Sequence, residues 1–289
     1  MEICTPKRIS VSRELGILLR QGFRALIGNK TNLLISLLFP FMAAGITVWI
    51  AGEDMFVNAE STESACFILV CAAIWGGLFN SIQTIVKERK SIKRDYVSGA
   101  LRIGCYTASR AIIQLLLCAF QSAVLCLSFL GVEKAYGNEL PAEGLIFGST
   151  MAEYYITLFL IVLASDTMGL CISCFVKNEQ LASQLSPYIL IVQLLFSGVL
   201  FPMEGIASTA SGVMLSRWGM EALGSTSNLN VLPLRLQSEF PMIPHEASDT
   251  FRYTAGHLWT VWLILLVFVI VPLFIGNFAL HRVKKDTRG

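Results

Sequence analysis

Cys171-Ile-Ser-Cys174 places two thiols at the spacing of a redox dithiol or of half a metal site. No second pair completes such a site. A lone pair at a helix end, inside an apolar run, reads as two small hydrophobes. The eight cysteines (Cys4, Cys66, Cys71, Cys105, Cys118, Cys126, Cys171 and Cys174) all lie in or beside apolar segments except Cys4. A secreted disulfide framework would put them in loops. His257 and His281 stand at opposite ends of one apolar run and cannot share a metal, so no metal site is expected. No H-E-x-x-H and no nucleophile-elbow pattern occurs, and catalysis within the chain is not expected. Asp166 and Arg110 remain, both inside apolar runs. An ionised Asp at mid-membrane costs about 2.5–3.5 kcal/mol, so it needs a partner or a wet cavity. One reading is a structural Arg110–Asp166 pair. The other is a proton or cation relay through Asp166, which would make the protein a secondary transporter or channel.

These residues must be held by elements that suit lipid. Of the 289 residues, 54% are hydrophobic and 15% charged, and the mean hydropathy is +0.64. A soluble domain carries about 25% charged residues, so the missing polar shell points to a membrane. The first 30 residues hold Lys7, Arg8, Arg13, Arg20 and Arg24, which interrupt any signal-peptide core, so the first span is expected to stay as an anchor. Six runs are long enough to cross about 30 Å of hydrocarbon as helices: 31–52, 64–86, 103–132, 145–176, 181–203 and 253–281. With the N-terminus inside, seventeen of the 22 lysines and arginines fall on inner segments and four on outer ones. That bias predicts a multi-pass membrane protein with both termini cytoplasmic.

Residues 1–30 read as a cytoplasmic tail followed by an amphipathic helix, Val11–Gly28, with Leu15, Leu18, Leu19, Phe23 and Leu26 at helical spacing. That helix would lie on the inner leaflet or pack on a partner. Residues 204–252 read as short helices and loops capping the outer mouth, and 282–289 as a cytoplasmic tail. The hydrogen-bonding residues Asn80, Gln83, Gln184, Tyr188 and Gln193 allow two readings: glue between helices, or cavity lining. In the second reading Trp75, Phe79 and Phe196 add flat apolar surface for an amphipathic or lipid-like cargo.

The strongest local signal is Val86-Lys-Glu-Arg-Lys-Ser-Ile-Lys-Arg-Asp-Tyr-Val-Ser-Gly99, with five cations in the eight positions from Lys87 to Arg94. An inner-leaflet anchor explains the charge, at about 1 kcal/mol per cation. It does not explain Glu88, Ile92 and Tyr96 in the same stretch. A short helix with both charge signs and a few apolar residues suits docking on a protein. From Ile74 to Gly99 the sequence resembles the second span and first cytoplasmic loop of ABC-2-type permeases. The nearest types are the G-subfamily of ABC exporters and bacterial proteins that join a forkhead-associated domain and an ATPase to such a membrane domain. Two further blocks carry the resemblance. Leu194–Ile206 with Arg217–Leu223 is similar to the end of the fifth span and the outer cap, and Gly169–Ala182 to the loop between spans four and five.

The resemblance implies an all-α permease acting as a dimer with a second copy or a paralogue. Residues 88–103 would be a coupling helix on the ATPase, through Glu88, Arg89, Lys90, Ile92, Lys93, Arg94 and Tyr96, with Lys177 and Glu179 as a second contact. Spans two and five would form the cavity, and Val199-Leu200 an apolar gate to the outer mouth. No G-x-x-x-x-G-K-[S/T] loop occurs in the chain, so ATP and Mg would sit on a partner nucleotide-binding domain. The cargo would be a small molecule, peptide or lipid-like compound exported across the membrane, and no nucleic-acid partner is implied.

Overall fold

The computed structural model describes residues 10–52, 55–137, 144–201, 203–232 and 249–281, and among them the fold is all-helical. The terminal tails, Glu53 and Asp54, residues 138–143, Pro202 and residues 233–248, within the segment expected as a cap, lie outside the described residues. The helices are α1 (Val11–Gly28), α2 (Lys30–Ala51), α3 (Ala59–Ser81), α4 (Thr84–Val97), α5 (Ile103–Tyr136), α6 (Thr150–Phe175), α7 (Glu179–Leu195), α8 (Ile206–Ser211), α9 (Leu215–Thr226) and α10 (Ala255–His281). Among the described residues, five stretches are long and apolar enough to cross a membrane: Leu33–Ile50, Ala59–Val97, Ile103–Ala135, Thr150–Phe175 and Ala255–His281.

The sixth run expected to cross, 181–203, forms a shorter helix. α7 has 17 residues and stops at Leu195, a length of about 25 Å at ~1.5 Å per residue. Its end has a local cause. Ser197 Oγ donates to Leu194 O at 2.8 Å and accepts from Val199 N at 3.3 Å. Gly198 follows at φ +89°. A hydroxyl that bonds its own backbone, next to a left-handed glycine, offers the chain an exit from the helix.

α6 is the most enclosed of the long apolar helices and packs against α3, α5, α9 and α10. α3 meets it at backbone distance. A Cβ on Gly77 would overlap the Val162 carbonyl oxygen, and one on Gly169 would overlap Ser81 Oγ. Ser81 Oγ donates to Asp166 O at 2.6 Å, and Ser165 Oγ donates to Ile74 O. Small residues and hydroxyls thus join α3 and α6 as one pair, the usual way helices approach closely in lipid. Tyr154, Leu158 and Ile161 of α6 and Leu69, Ile74 and Leu78 of α3 are fully buried in the same core. α10 seals the other flank, where Trp262 Nε1 donates to Thr157 Oγ1 at 2.9 Å.

α9 goes deeper than a surface cap would. Gly219 lies against Val70 and Ile161, half-way along α3 and α6, and Ser227 Oγ bonds Tyr154 and Cys66 nearer the start of both helices. α1 matches the segment expected from its periodicity. It packs on α5: Gly22 sits under Ile113, and the buried carboxylate of Glu14 accepts from Arg102 N at 2.7 Å.

Candidate functional site

The basic segment folds as α4, a helix set off from α3 by Ile82 and Gln83. The break follows from Ser173 of α6. Its hydroxyl accepts from both Ile85 N and Val86 N at 3.1 Å, so those amides are turned away from the α3 ladder. The ladder resumes at Lys87 N to Gln83 O. The helix expected over 88–103 therefore begins at Thr84. It ends at Val97, where Ala100 N and Leu101 N both turn back to Asp95 O and Gly99 takes φ +75°.

The residues expected on the ATPase side divide between the two faces of α4. Ile85, Arg89 and Ile92 are buried against α5 and α6. Arg89 is 7% exposed. Its Nη2 donates to three carbonyls at the C-terminal end of α6: Ser173 O at 3.1 Å, Cys174 O at 2.7 Å and Val176 O at 3.1 Å. Those carbonyls are among the last of the helix, which have no partner within it, and they carry its negative dipole end. A guanidinium is suited to bridge several of them at once. Glu88 leans the other way, into a charge-assisted pair with Arg110 Nη2, and accepts from Tyr106 OH at 2.6 Å. The Arg110 guanidinium stands 5.4 Å from the Tyr106 ring centre.

One expectation is corrected here. Arg89 and Ile92 are buried against the bundle, and Glu88 is half-buried in its pair with Arg110. Arg110 pairs with Glu88 and not with Asp166. The reason is placement: the break at Ile82–Gln83 lets Glu88 of α4 reach the first turns of α5. Asp166, fully buried, turns its carboxylate to a spot where neither oxygen has a hydrogen-bond partner among the described residues.

The outward face of α4 holds Lys87, Lys90, Ser91, Arg94 and Val97, all exposed. Arg94 makes a solvent-exposed ion pair with Asp95 at 3.1 Å. Lys93 and Tyr96 are half-buried at the edge of this face. Lys177 and Glu179 are exposed at the start of α7, where Asn178 caps the helix by accepting from Leu181 N at 2.8 Å.

The residues expected to line a path between α3 and α7 have distinct surroundings. Trp75, Phe79, Asn80 and Gln83 face a cavity of about 460 Å³ whose other walls are the α1–α2 corner and α5. Gln83 Nε2 also donates to Ser183 Oγ of α7. Gln184 is exposed, and Tyr188 is 67% exposed. Gln193 is buried and tied to α9, its Oε1 accepting from Ser216 N at 3.0 Å. Phe196 and Val199 are half-buried and Leu200 exposed, in the turns after α7.

One polar centre did not emerge from the sequence. Glu221 of α9 is buried beside His257 Nε2 at 3.2 Å and Arg217 Nε at 3.9 Å. His257 Nε2 also lies 3.2 Å from Thr250 O. Burial lifts the Glu221 carboxyl to about 7, and Arg217 opposes the rise. A carboxylate four positions after an arginine was the available signal.

The family model for the ABC-2 type transporter matches residues 13–226. The chain belongs to this family. It is also similar to the ABC transporter ATP-binding/permease protein Rv1747 of Mycobacterium tuberculosis, with 21% identity over 281 residues. That alignment covers 93% of this chain and 31% of the relative, so the chain spans about a third of that protein's length. The family and the apolar helices make this a multi-pass ABC-2 permease domain.

Proposed function

We propose that the chain is the membrane-spanning half of an ATP-driven exporter, pairing with a second copy and with an ATPase that binds α4 from the cytoplasm. The observation that carries this is the division of α4 into two faces. One is fixed to α5 and α6 by Glu88 and Arg89; the other offers Lys87, Lys90 and Arg94. A helix held on one side by the bundle and cationic on the other can pass a push from a soluble motor to helices in lipid. ATP and Mg belong to that motor, through which the second contact at Lys177 and Glu179 would also act. Both termini lie in the cytoplasm in this reading, α7 lines the shared path, and Val199-Leu200 closes it outward.

The relative named as an ATP-binding/permease protein supports a motor, fused or separate. The test is co-purification of the full chain with its ATPase. Lys90→Glu with Arg94→Glu should lower bound ATPase and stimulated hydrolysis while membrane insertion is unchanged. Full hydrolysis in that double variant would remove the reading. A second reading, an ion pathway through Asp166, is favoured by its carboxylate lacking a hydrogen-bond partner among the described residues. Loss of transport in Asp166→Asn, with ATPase binding intact and no nucleotide requirement, would support it instead.

A further inference from the structure

α5 and α10 both pack on α6 but touch each other sparingly, which leaves a groove of about 280 Å³ between them on the surface of the bundle. Each helix gives the groove two turns of a single face, residues 104–111 of α5 and 270–277 of α10. The groove is therefore about 10 Å long, at ~1.5 Å per residue. Its walls are unlike. α5 presents the small side chains of Gly104, Ala108 and Ala111, and a Cβ on Gly104 would meet open space. α10 presents Ile270 and Phe274, which are 49% and 72% exposed. At one end Thr107 Oγ1 donates to Asn277 Oδ1 at 3.1 Å, which leaves Asn277 Nδ2 to donate elsewhere.

A gap that faces lipid is filled by a hydrocarbon chain, because an empty one would forfeit dispersion contacts along its lining. Whether one lipid is selected depends on the polar end. The bond between Thr107 and Asn277 joins the start of α5 to the end of α10, where both apolar stretches stop. That is the level of the lipid head groups. His281 follows Asn277 by one turn on the same face of α10, and it is exposed. The sequence continues as Arg282-Val-Lys284-Lys285. α5 adds its positive dipole end, where Arg102 makes no side-chain cap. None of the residues lining the groove is acidic. Glu14 and Glu88, which pack near the start of α5, are held by Arg102 and Arg110. The mouth is thus positive and the groove apolar.

We propose that this groove holds a resident anionic phospholipid. One acyl chain lies along Gly104, Ala108 and Phe274, and the phosphate sits at the mouth beside Asn277 Nδ2 and His281. A zwitterionic lipid could fill the groove equally well but has no net charge for the mouth to attract. A second copy seated on the same face by a twofold along the membrane normal would bring two cationic ends together, which like charge opposes. The lipid is a structural partner and not cargo: α3 and α7 contribute nothing to the lining. The site needs no ATPase and no stated orientation of the chain, so it stands or falls apart from the proposed function.

The experiment uses the full chain in phosphatidylcholine nanodiscs doped with phosphatidylglycerol that carries a diazirine on one acyl chain. Phosphatidylcholine with the same diazirine chain is the comparison. Mass spectrometry of labelled peptides should place the anionic probe on segments 104–111 and 270–277, about fivefold above the zwitterionic probe. Unlabelled phosphatidylglycerol should compete it away. Gly104→Leu grows into the groove from a position with open space and should remove most of the labelling at an unchanged melting temperature, while Gly104→Ala should keep it. If Gly104→Leu fails to fold, Ala108→Leu takes its place, since Ala108 is exposed. His281→Glu with Arg282→Glu should abolish the preference for the anionic probe. Equal labelling by the two probes overturns the proposal, as does full labelling of the leucine variant. An anionic preference that survives the double glutamate variant overturns it too, because the head would then lie elsewhere. Absent labelling is equally fatal, and cross-linking of two copies through Ala108→Cys would then name a second copy as the occupant.

Discussion

Arg89 and Arg94 lie five positions apart in one basic run, yet one is buried under three carbonyls and the other is 77% exposed. Their substitutions should separate cleanly. Arg89→Gln removes a charged donor from the end of α6 and should cost about 2–3 kcal/mol of stability in a thermal melt. Arg94→Glu should change stability by no more than about 0.5 kcal/mol, and under the proposed function its effect falls on ATPase binding. The Glu88–Arg110 pair predicts non-additivity: in a double-mutant cycle with Glu88→Gln and Arg110→Gln, the coupling should be about 1 kcal/mol, and a value near zero would show the pair to be incidental. Glu221 gives a pH prediction. Its carboxyl sits near 7 in the folded chain against an ordinary 4.5, so between those values the folded state holds a proton that the unfolded chain has released. Stability should therefore fall as pH rises from 5 to 8, and Glu221→Gln should flatten that slope. The phase of Arg89 was readable. Ile85, Arg89 and Ile92 recur at helical spacing, which puts Arg89 in the apolar stripe. The partner of Arg110 was not, because Glu88 and Asp166 are both within reach by residue count and only the break before α4 decides between them.

The long apolar stretches and α1 could be read from hydropathy and periodicity, since in lipid a run of apolar residues has few alternatives to a helix. The ends of helices were less legible. α7 stops at Leu195 because Ser197 and Gly198 act locally, and α4 starts at Thr84 because Ser173, 89 residues away in the chain, takes its first amides. No window of sequence contains that contact. The union of α3 and α6 also rests on side chains too small to stand out. Gly77→Ala should force the helices apart against the Val162 carbonyl and cost about 3 kcal/mol, the upper end for overpacking, because backbone cannot rotate away. Gly16→Ala, with open space around it, should leave stability unchanged or slightly raised, and the pair measured in the same melt checks the packing argument.

Across the molecule the packing is uneven. α3, α5 and α10 all pack on α6, while α7 buries only Ala182, Ser186, Leu190 and Gln193, with Tyr188, Ile191 and Leu195 exposed. Its ties are few: Gln83 to Ser183 near its start and Gln193 to Ser216 near its end. If α4 is driven by an ATPase, the α3–α6 pair should move as one body and α7 should shift against it. Spin labels at Lys90 and Met151 should keep their separation when nucleotide binds, and labels at Met151 and Tyr188 should change theirs by several ångströms. The Arg89 clasp also fixes helical phase. One alanine inserted between Asp166 and Ser173 would swing every later carbonyl by about 100°, out of reach of the guanidinium, and carry the Ser173 hydroxyl away from the amides it redirects. An insertion among residues 144–149, ahead of the helix, would leave both in place. Evolutionary drift in the length of this permease should therefore be tolerated on the approach to α6 and forbidden along its last third.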